Sequence, residues 1–326
     1  MSPVKREAAK ARALLDGAPS IVAVGHHRPD GDAIGSLLAF TLGLEHTKKK
    51  VTPVLVDGVP KRFRFLPGWE RVQQKLPEAL PLLVTIDCSD LERVGISPEL
   101  IGKTPDVNID HHPTNTQFGK VNLVDPELSA TAELLYHFAA DLDLDITPAV
   151  ATNLLTGILA DTIGFRTSSV TPKTMRVAAD LIEQGAPLPE IYDRALNRRS
   201  LVSARYWARG LSRLQQEDGL VWTSLTFDDR QLVGYPGADD ADLINLITTI
   251  EGAQVAVLFV EQTGGKVKVS WRSLDDTDVA RLAQSFGGGG HEPAAGAMVP
   301  GTLEEVQDII LSATRVWIRR LPDGEI

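Results

Sequence analysis

The sequence predicts an α/β protein of two domains: an N-terminal parallel sheet with helices on both faces, then a smaller C-terminal α/β domain. Three observations carry this. Short β-branched runs alternate with helix-period segments through the first half, and an almost wholly helical stretch follows from about Ser129 to Gln216. After that the pattern resets to long strands and a glycine run.

The 326 residues suffice for two ordinary domains. In the first half SIVAVG (20–25), VTPVLV (51–56), LLVTID (82–87) and DVNID (106–110) read as strands. Helix-period segments separate some of them, the clearest starting at Asp32. Such alternation specifies parallel strands with crossover helices, and a ligand then lies outside the carboxyl ends of the strands. SATAELLYHFAADL opens on a Ser N-cap signal, and TPAVATNLLTGILADT has Pro at a first helical position. ARYWARGLSRLQQ reads as a helix leading to a boundary near 216, which places domains at 1–195 and 217–326 with 196–216 connecting them. LVWTSLTF, QVAVLFVEQ and KVKVSWRS read as strands, the last two joined as a hairpin through TGG at 263–265. A closing helix begins near Thr302.

Composition narrows the class. Hydrophobic residues at 43% and charged residues at 23% are the profile of a soluble globular protein. No apolar run approaches the ~20 residues of a membrane helix. The N-terminal MSPVKREAAKARALLDG lacks a signal peptide's apolar core and reads as an amphipathic surface helix. Cys88 is the only cysteine, which excludes an internal disulfide and fits a reducing cytoplasm. Its apolar neighbours make it a buried residue and a poor nucleophile. The net charge of −10 argues against a grip on long duplex nucleic acid, which needs a basic stripe. The short patches KKK (48–50), KRFR (61–64) and RR (198–199) read as solvated faces. Small anionic substrates stay open, because metals offset local acidity.

The chemistry collects at predicted strand and helix ends. His26-His27-Arg28-Pro29-Asp30-Gly31-Asp32 follows the first strand, Asp87 and Asp90 the third, and Asp110-His111-His112 the fourth. Asp161 closes the helix TNLLTGILA. Each alone has a bland explanation: Asp-Gly is a turn signal, and a single His pair is often only a surface turn. Together they form a borderline-hard cation site suited to Mn²⁺ or Mg²⁺, with Co²⁺ an alternative. So many carboxylates cannot all stay ionised side by side without cations. Two divalent ions resolve that, and metal pairs are a standard device for phosphate-ester hydrolysis.

HHRPDGDAIGS, VTIDCSD, NIDHH, LADTIGF and FGGGGHEPAAG, in this order, resemble the DHH phosphoesterase superfamily, above all its bacterial nano-RNase and pAp-phosphatase branch. The resemblance runs from about Ser20 to Gly296. It implies a metal-binding catalytic domain followed by a DHH-associated substrate-binding domain. It also implies two divalent ions, Mn²⁺ first among them. His26, Asp30 and Asp87 would hold one ion; Asp32, Asp87, His111 and Asp161 would hold the other, with Asp87 bridging. His112 would face the scissile phosphate as proton donor or electrostatic stabiliser, and Asp110 would orient an imidazole. Water activated by the metals is the implied nucleophile, with no covalent enzyme intermediate.

In the second domain, Gly288, Gly289 and Gly290 within the run 287–290 would bring backbone N–H groups close to a phosphate or sugar. His291 would follow as a donor, and Arg272, beside Ser273, would grip a terminal phosphate bidentately. Arg93 either reaches substrate or forms a surface salt bridge. Relatives often place an Asn after the Arg-Ser pair, where this chain has Asp276-Thr277-Asp278.

The implied activity is hydrolysis of oligoribonucleotides of about two to five nucleotides, together with dephosphorylation of pAp. Two domains across a cleft would explain the preference for short substrates, and a homodimer through the first domain's sheet edge is a further expectation. Cleavage of dinucleotide signals such as pGpG uses the same chemistry. A RecJ-type exonuclease would need an added nucleic-acid module, and a family-two pyrophosphatase lacks the GGGGH signature. A silent nucleotide-binding regulator is the alternative of another class, although every expected ligand position is filled.

Overall fold

The computed structural model describes residues 2–78, 81–95, 103–274 and 277–319, apart from the side chains of His291 and Arg319. Asp276 of the expected departure therefore lies outside the described residues. The chain divides into two compact units, Met1–Arg198 and Arg199–Ile326.

The first unit is built on β1 (Ser20–Val24), β2 (Lys50–Val54), β3 (Leu83–Ile86), β4 (Val107–Asp110) and β5 (Val121–Val124). They form one parallel sheet in the order β2-β1-β3-β4-β5. Strand β5 goes unread in the sequence because VNLV is short and only half its residues are buried. The pleat sorts the side chains. Ile21, Ala23, Val84, Ile86, Val107 and Ile109 join the main core with α1 (Pro3–Gly17), α2 (Gly31–Gly43), α3 (Thr131–His137) and α4 (Pro148–Asp161). Val22, Val24, Val54 and Leu83 point the other way, against Cys88 and Val94 of the 3₁₀ turn Glu92–Val94.

Helix α4 starts as its sequence signals say: Thr147 Oγ1 accepts from Val150 N and Pro148 takes the first turn. The start of α3 differs from expectation. Its N-cap is Ala130, and the Ser129 hydroxyl donates to Glu133 Oε2 at 2.6 Å. The buried Glu133 carboxylate, a stronger acceptor than a backbone carbonyl, captures it. The stretch 129–216 is helical in pieces, broken by turns over 162–171 before α5 (Pro172–Glu183) and by the π-turn Asp193–Asn197.

Helices α2 and α4 cross at van der Waals limit. A Cβ on Gly35 would stand 2.4 Å from the Asn153 carbonyl oxygen, and one on Gly157 would stand 2.6 Å from Asp32 Oδ1. Both obstacles are fixed, so only glycine permits the approach.

The second unit has a mixed sheet in the order β10-β11-β9-β8-β7-β6: β6 (Gln215–Glu217), β7 (Leu220–Leu225), β8 (Val255–Gln262), β9 (Lys266–Ser273), β10 (Gly289–His291) and β11 (Ala294–Pro300). Only β7 and β8 run parallel. One face packs with Tyr206 of α6 (Leu201–Leu211), so the helix expected to connect the domains packs into the second unit. The other face packs Trp271 and Phe259 against α7 (Val279–Gln284) and α8 (Leu303–Arg319). The glycine run enters the sheet as β10, paired with β11. No described helix is long and apolar enough to cross a membrane.

Gly35→Ala should lower the unfolding free energy by about 1–3 kcal/mol through overpacking of α2 on α4. Urea unfolding measures this, and an unchanged midpoint would refute the close-contact account.

Candidate metal centre

Loops after β1, β3 and β4 and the end of α4 converge on one cluster. Asp30 caps α2, its Oδ1 accepting from the Asp32 and Ala33 amides at 3.1 Å each. This puts Asp30 and Asp32 at the helix start, one on each side of Gly31. Asp87 follows β3 with a left-handed backbone, φ 60°, unusual for a residue other than glycine. Its N–H still donates to Ile109 O at 2.9 Å, so the strained turn is tied to β4. Asp110 ends β4, His111 and His112 follow it, and Asp161 ends α4.

Ligand-type atoms of His26, Asp30 and Asp87 lie within 4.8 Å of one another, as do those of Asp32, His111 and Asp161. Asp87, His111 and His112 form a third such group that links the two. His26 Nε2 stands 3.6 Å from Asp30 Oδ2 and 3.5 Å from Asp87 Oδ2. His111 Nε2 stands 3.3 Å from Asp161 Oδ2 and 4.0 Å from both Asp32 Oδ2 and Asp87 Oδ1.

The ring nitrogens carry the diagnosis. His26 Nδ1–H donates to the His27 carbonyl at 2.8 Å, and His111 Nδ1–H donates to the Leu128 carbonyl at 3.2 Å. Each Nε2 then presents a lone pair toward carboxylate oxygens. Both nitrogens are buried without a hydrogen-bond partner. A lone pair aimed at carboxylates is repulsive unless a cation or a proton lies between them. The 3.3–3.6 Å separations suit donors sharing one ion at ~2.1 Å each.

The electrostatics agree. Burial and the neighbouring Asp87 and Asp161 push the Asp32 carboxyl well above its usual range. Burial, Asp30 and Asp87 do the same to Asp161. Burial lowers the His26 imidazole, yet Asp30 and Asp87 overcome it and lift it to about 11, so where no cation is bound the carboxylates draw a proton onto the ring in its place. The cluster demands positive charge, and divalent ions supply it. The donor set of carboxylate and imidazole, without thiolate, fits such ions.

Residues 20–158 match the DHH family, N-terminal domain, and residues 234–319 match the DHHA1 domain. The bifunctional oligoribonuclease and PAP phosphatase NrnA of Thermus thermophilus is 37% identical over 303 residues, spanning 90% of this chain and 89% of that protein. The chain belongs to the DHH family. The Bacillus subtilis protein of the same name is 26% identical, over 91% of this chain and 93% of its own. A crystal structure of an exopolyphosphatase-related protein from Bacteroides fragilis shares the fold with a TM-score of 0.89 at 25% identity, covering 97% of this chain and 98% of that one.

In this DHH-family centre a second ring of residues, absent from the sequence reading, fixes the cluster. Thr131 Oγ1 donates to Asp87 Oδ1 at 2.8 Å, and its N–H donates to Asp32 Oδ2 at 2.7 Å. Ala132 N and Ser36 Oγ hold Asp32 Oδ1 at 3.0 and 2.9 Å. Asn115 Nδ2 donates to Asp110 Oδ2 at 2.6 Å and to Cys88 O at 3.0 Å. Asp110 Oδ1 in turn takes His112 Nδ1–H at 2.7 Å. Burial lowers the His112 imidazole, but Asp110 and Asp87 outweigh it and raise it to about 9. Arg93 sits beside the centre through its backbone: its carbonyl accepts from His27 N at 2.7 Å and His27 Nδ1 at 2.8 Å.

In the second unit, Arg272 ends β9 next to Ser273, and its Nη1 donates to Trp271 O at 2.9 Å. Burial lowers its guanidinium pKa, opposed by Asp240 and Asp242. Register aligns Arg272 with Ala294, and Ala294 with His291, in one row across β9, β11 and β10. The His291 side chain lies outside the described residues. Gly288 N already donates to Ala283 O at 2.9 Å and Gly287 N to Gln284 O at 3.0 Å. Those two N–H groups are therefore unavailable to a phosphate, while Gly289 and Gly290 lie in the strand paired with β11.

Thr131→Val keeps the volume and removes the hydroxyl on Asp87. It should weaken Mn²⁺ binding about tenfold, a typical cost of deleting a group that supports a ligand. Calorimetric Mn²⁺ titration tests this; an unaltered affinity would remove Thr131 from the account.

Proposed function

We propose that this DHH-family chain is a cytoplasmic Mn²⁺-dependent phosphoesterase. It hydrolyses short oligoribonucleotides to mononucleotides and dephosphorylates pAp. The carrying observation is the pair of buried imidazole Nε2 lone pairs facing Asp30, Asp87 and Asp161. Such a set holds divalent ions and has no evident use without them. The names borne by the relatives, oligoribonuclease and PAP phosphatase, supply the substrate class.

His26, Asp30 and Asp87 hold one ion, and Asp32, Asp87, His111 and Asp161 hold the other. Bound divalent ions neutralise the phosphate and acidify water. The chain's own groups do the rest. His112, protonated through its bond to Asp110, delivers a proton from Nε2 to the leaving oxygen. Asn115 fixes Asp110, so the ring keeps one orientation. Asp87, held well below the usual carboxylate range because His26 and His112 outweigh its burial, stays ionised. Arg272 and Ser273, with His291 beside the glycine run, anchor a second phosphate of the substrate. The net charge of −10 disfavours retention of long duplexes. The working unit is a homodimer.

Asp87→Asn should abolish Mn²⁺-dependent hydrolysis of a 5′-labelled diribonucleotide and of pAp, while circular dichroism stays native. Near-normal turnover would sink the two-ion reading. Arg272→Ala should raise KM for the diribonucleotide about tenfold with a smaller change in kcat, since a charged anchor is worth roughly 1.5–3 kcal/mol. Unaltered constants would rule out that role.

A further inference from the structure

One short stretch, leading into α3, holds several ligands of the metal centre at once. The Leu128 carbonyl accepts His111 Nδ1–H at 3.2 Å. Three residues on, the Thr131 amide and hydroxyl hold Asp32 Oδ2 and Asp87 Oδ1 at 2.7 and 2.8 Å, and the Ala132 amide holds Asp32 Oδ1 at 3.0 Å. Asp87 Oδ1 is the oxygen turned toward His111, whereas Oδ2 faces His26. Residues 128–132 thus orient Asp32, Asp87 and His111, and make no described hydrogen bond to the side chain of His26 or Asp30.

The stretch is fastened from the next turn of the helix. Its N-cap, Ala130, has no polar side chain to close the helix start. Glu133 is fully buried, and its Oε2 accepts from the Ser129 amide at 2.9 Å and the Ser129 hydroxyl at 2.6 Å. Thr174 Oγ1 of α5 donates to the same oxygen at 3.2 Å, and Oε1 lies 3.6 Å from His137 Nε2. Burial raises the Glu133 carboxyl, yet His137, Ser129 and Thr174 outweigh it and hold it below the usual range, so it stays ionised. Hydrogen bonds to a buried carboxylate are among the strongest a fold can make. Here two of them are directed at Ser129, which touches no ligand itself and links Leu128 to Thr131.

We infer that Glu133 is a positioning residue for one ion of the pair, the one assigned to Asp32, Asp87, His111 and Asp161. The inference rests on the two-ion reading above and extends it. By fixing both the amide and the hydroxyl of Ser129, the carboxylate sets where the Leu128 carbonyl and the Thr131 donors stand. The ion assigned to His26, Asp30 and Asp87 shares only the bridging Asp87 with this device. His26 is oriented by the His27 carbonyl and Asp30 by the Asp32 and Ala33 amides. Loss of Glu133 therefore separates the two ions in affinity, which a loss of packing alone does not.

The test is calorimetric titration of the metal-stripped full chain with Mn²⁺. Asp161→Asn and Asp30→Asn identify the binding step that belongs to each ion. Glu133→Ala should weaken the Asp161-dependent step about tenfold and leave the Asp30-dependent step within about twofold. Glu133→Gln should bring the weakened step back to within about threefold of wild type, because its amide oxygen still accepts from Ser129. Ser129→Ala keeps the carboxylate and should shift the same step about threefold, which decides the matter where Glu133→Ala does not fold. Equal weakening of both steps, no weakening of either, or no recovery in Glu133→Gln would overturn the inference while leaving the two-ion reading intact. Wild-type protein that binds fewer than two Mn²⁺ would overturn the two together.

Discussion

Crowding of negative charge, most of it out of the reach of water, is the constraint on which the first unit depends. Asp32, Asp87 and Asp110 are almost fully buried, and Asp30 and Asp161 complete the group. Like charges so close cost several kcal/mol unless compensated. Much of the local architecture is compensation. The first amides of α3 and the Ser36 hydroxyl solvate Asp32. The Thr131 hydroxyl solvates Asp87, and Asn115 solvates Asp110. Gly35 and Gly157 let α2 and α4 close to backbone contact, which brings Asp32 and Asp161 onto one point. What these donors leave uncompensated is what cations must meet.

The parts of this design differ in how legible they are in the sequence. Asp30, Asp87, Asp110 and His111 declare themselves, because β-branched runs locate strand ends and ligands of an α/β sheet gather there. Thr131 and Asn115 do not. Their importance comes from donors reaching across 44 and 5 residues to carboxylates that only the fold brings near. The Ser129 cap signal is misleading for a related reason: the buried Glu133 carboxylate accepts from both its N–H and its hydroxyl, and the N-cap falls one residue later, at Ala130. Strand β5 and the strand nature of the glycine run are hidden because both are short and depend on neighbours for their pairing. In KRFR the cations Lys61, Arg62 and Arg64 are exposed as read, and what stays hidden is Phe63 between them, buried against Gly31.

Acidic composition and phosphate recognition are compatible in this chain because the two act at different ranges. A net charge of −10 opposes accumulation of a long polyanion over the whole surface. Fixed guanidinium groups act within a few ångströms, where geometry outweighs the screened mean field. Arg62 on Phe63, Arg194 on Phe65 and Arg64 on Trp69 are all held by ring stacking.

In the proposed function three histidines of one centre take two roles, and their Nδ1 partners differ accordingly. In His26 and His111 the acceptor is a backbone carbonyl, which leaves Nε2 turned toward the carboxylates. A neutral imidazole with Nε2 unprotonated is the ligand form. In His112 the acceptor is the buried Asp110 carboxylate, and the ring is raised to about 9. An imidazolium cannot ligate a cation through Nε2, but it can give up a proton there. His111 and His112 are adjacent in sequence, with ring centroids 4.7 Å apart. The step from metal ligand to proton donor therefore needs no separate element of structure. A single turn after β4 suffices, provided Asn115 keeps Asp110 turned toward the second ring and Leu128 offers its carbonyl to the first.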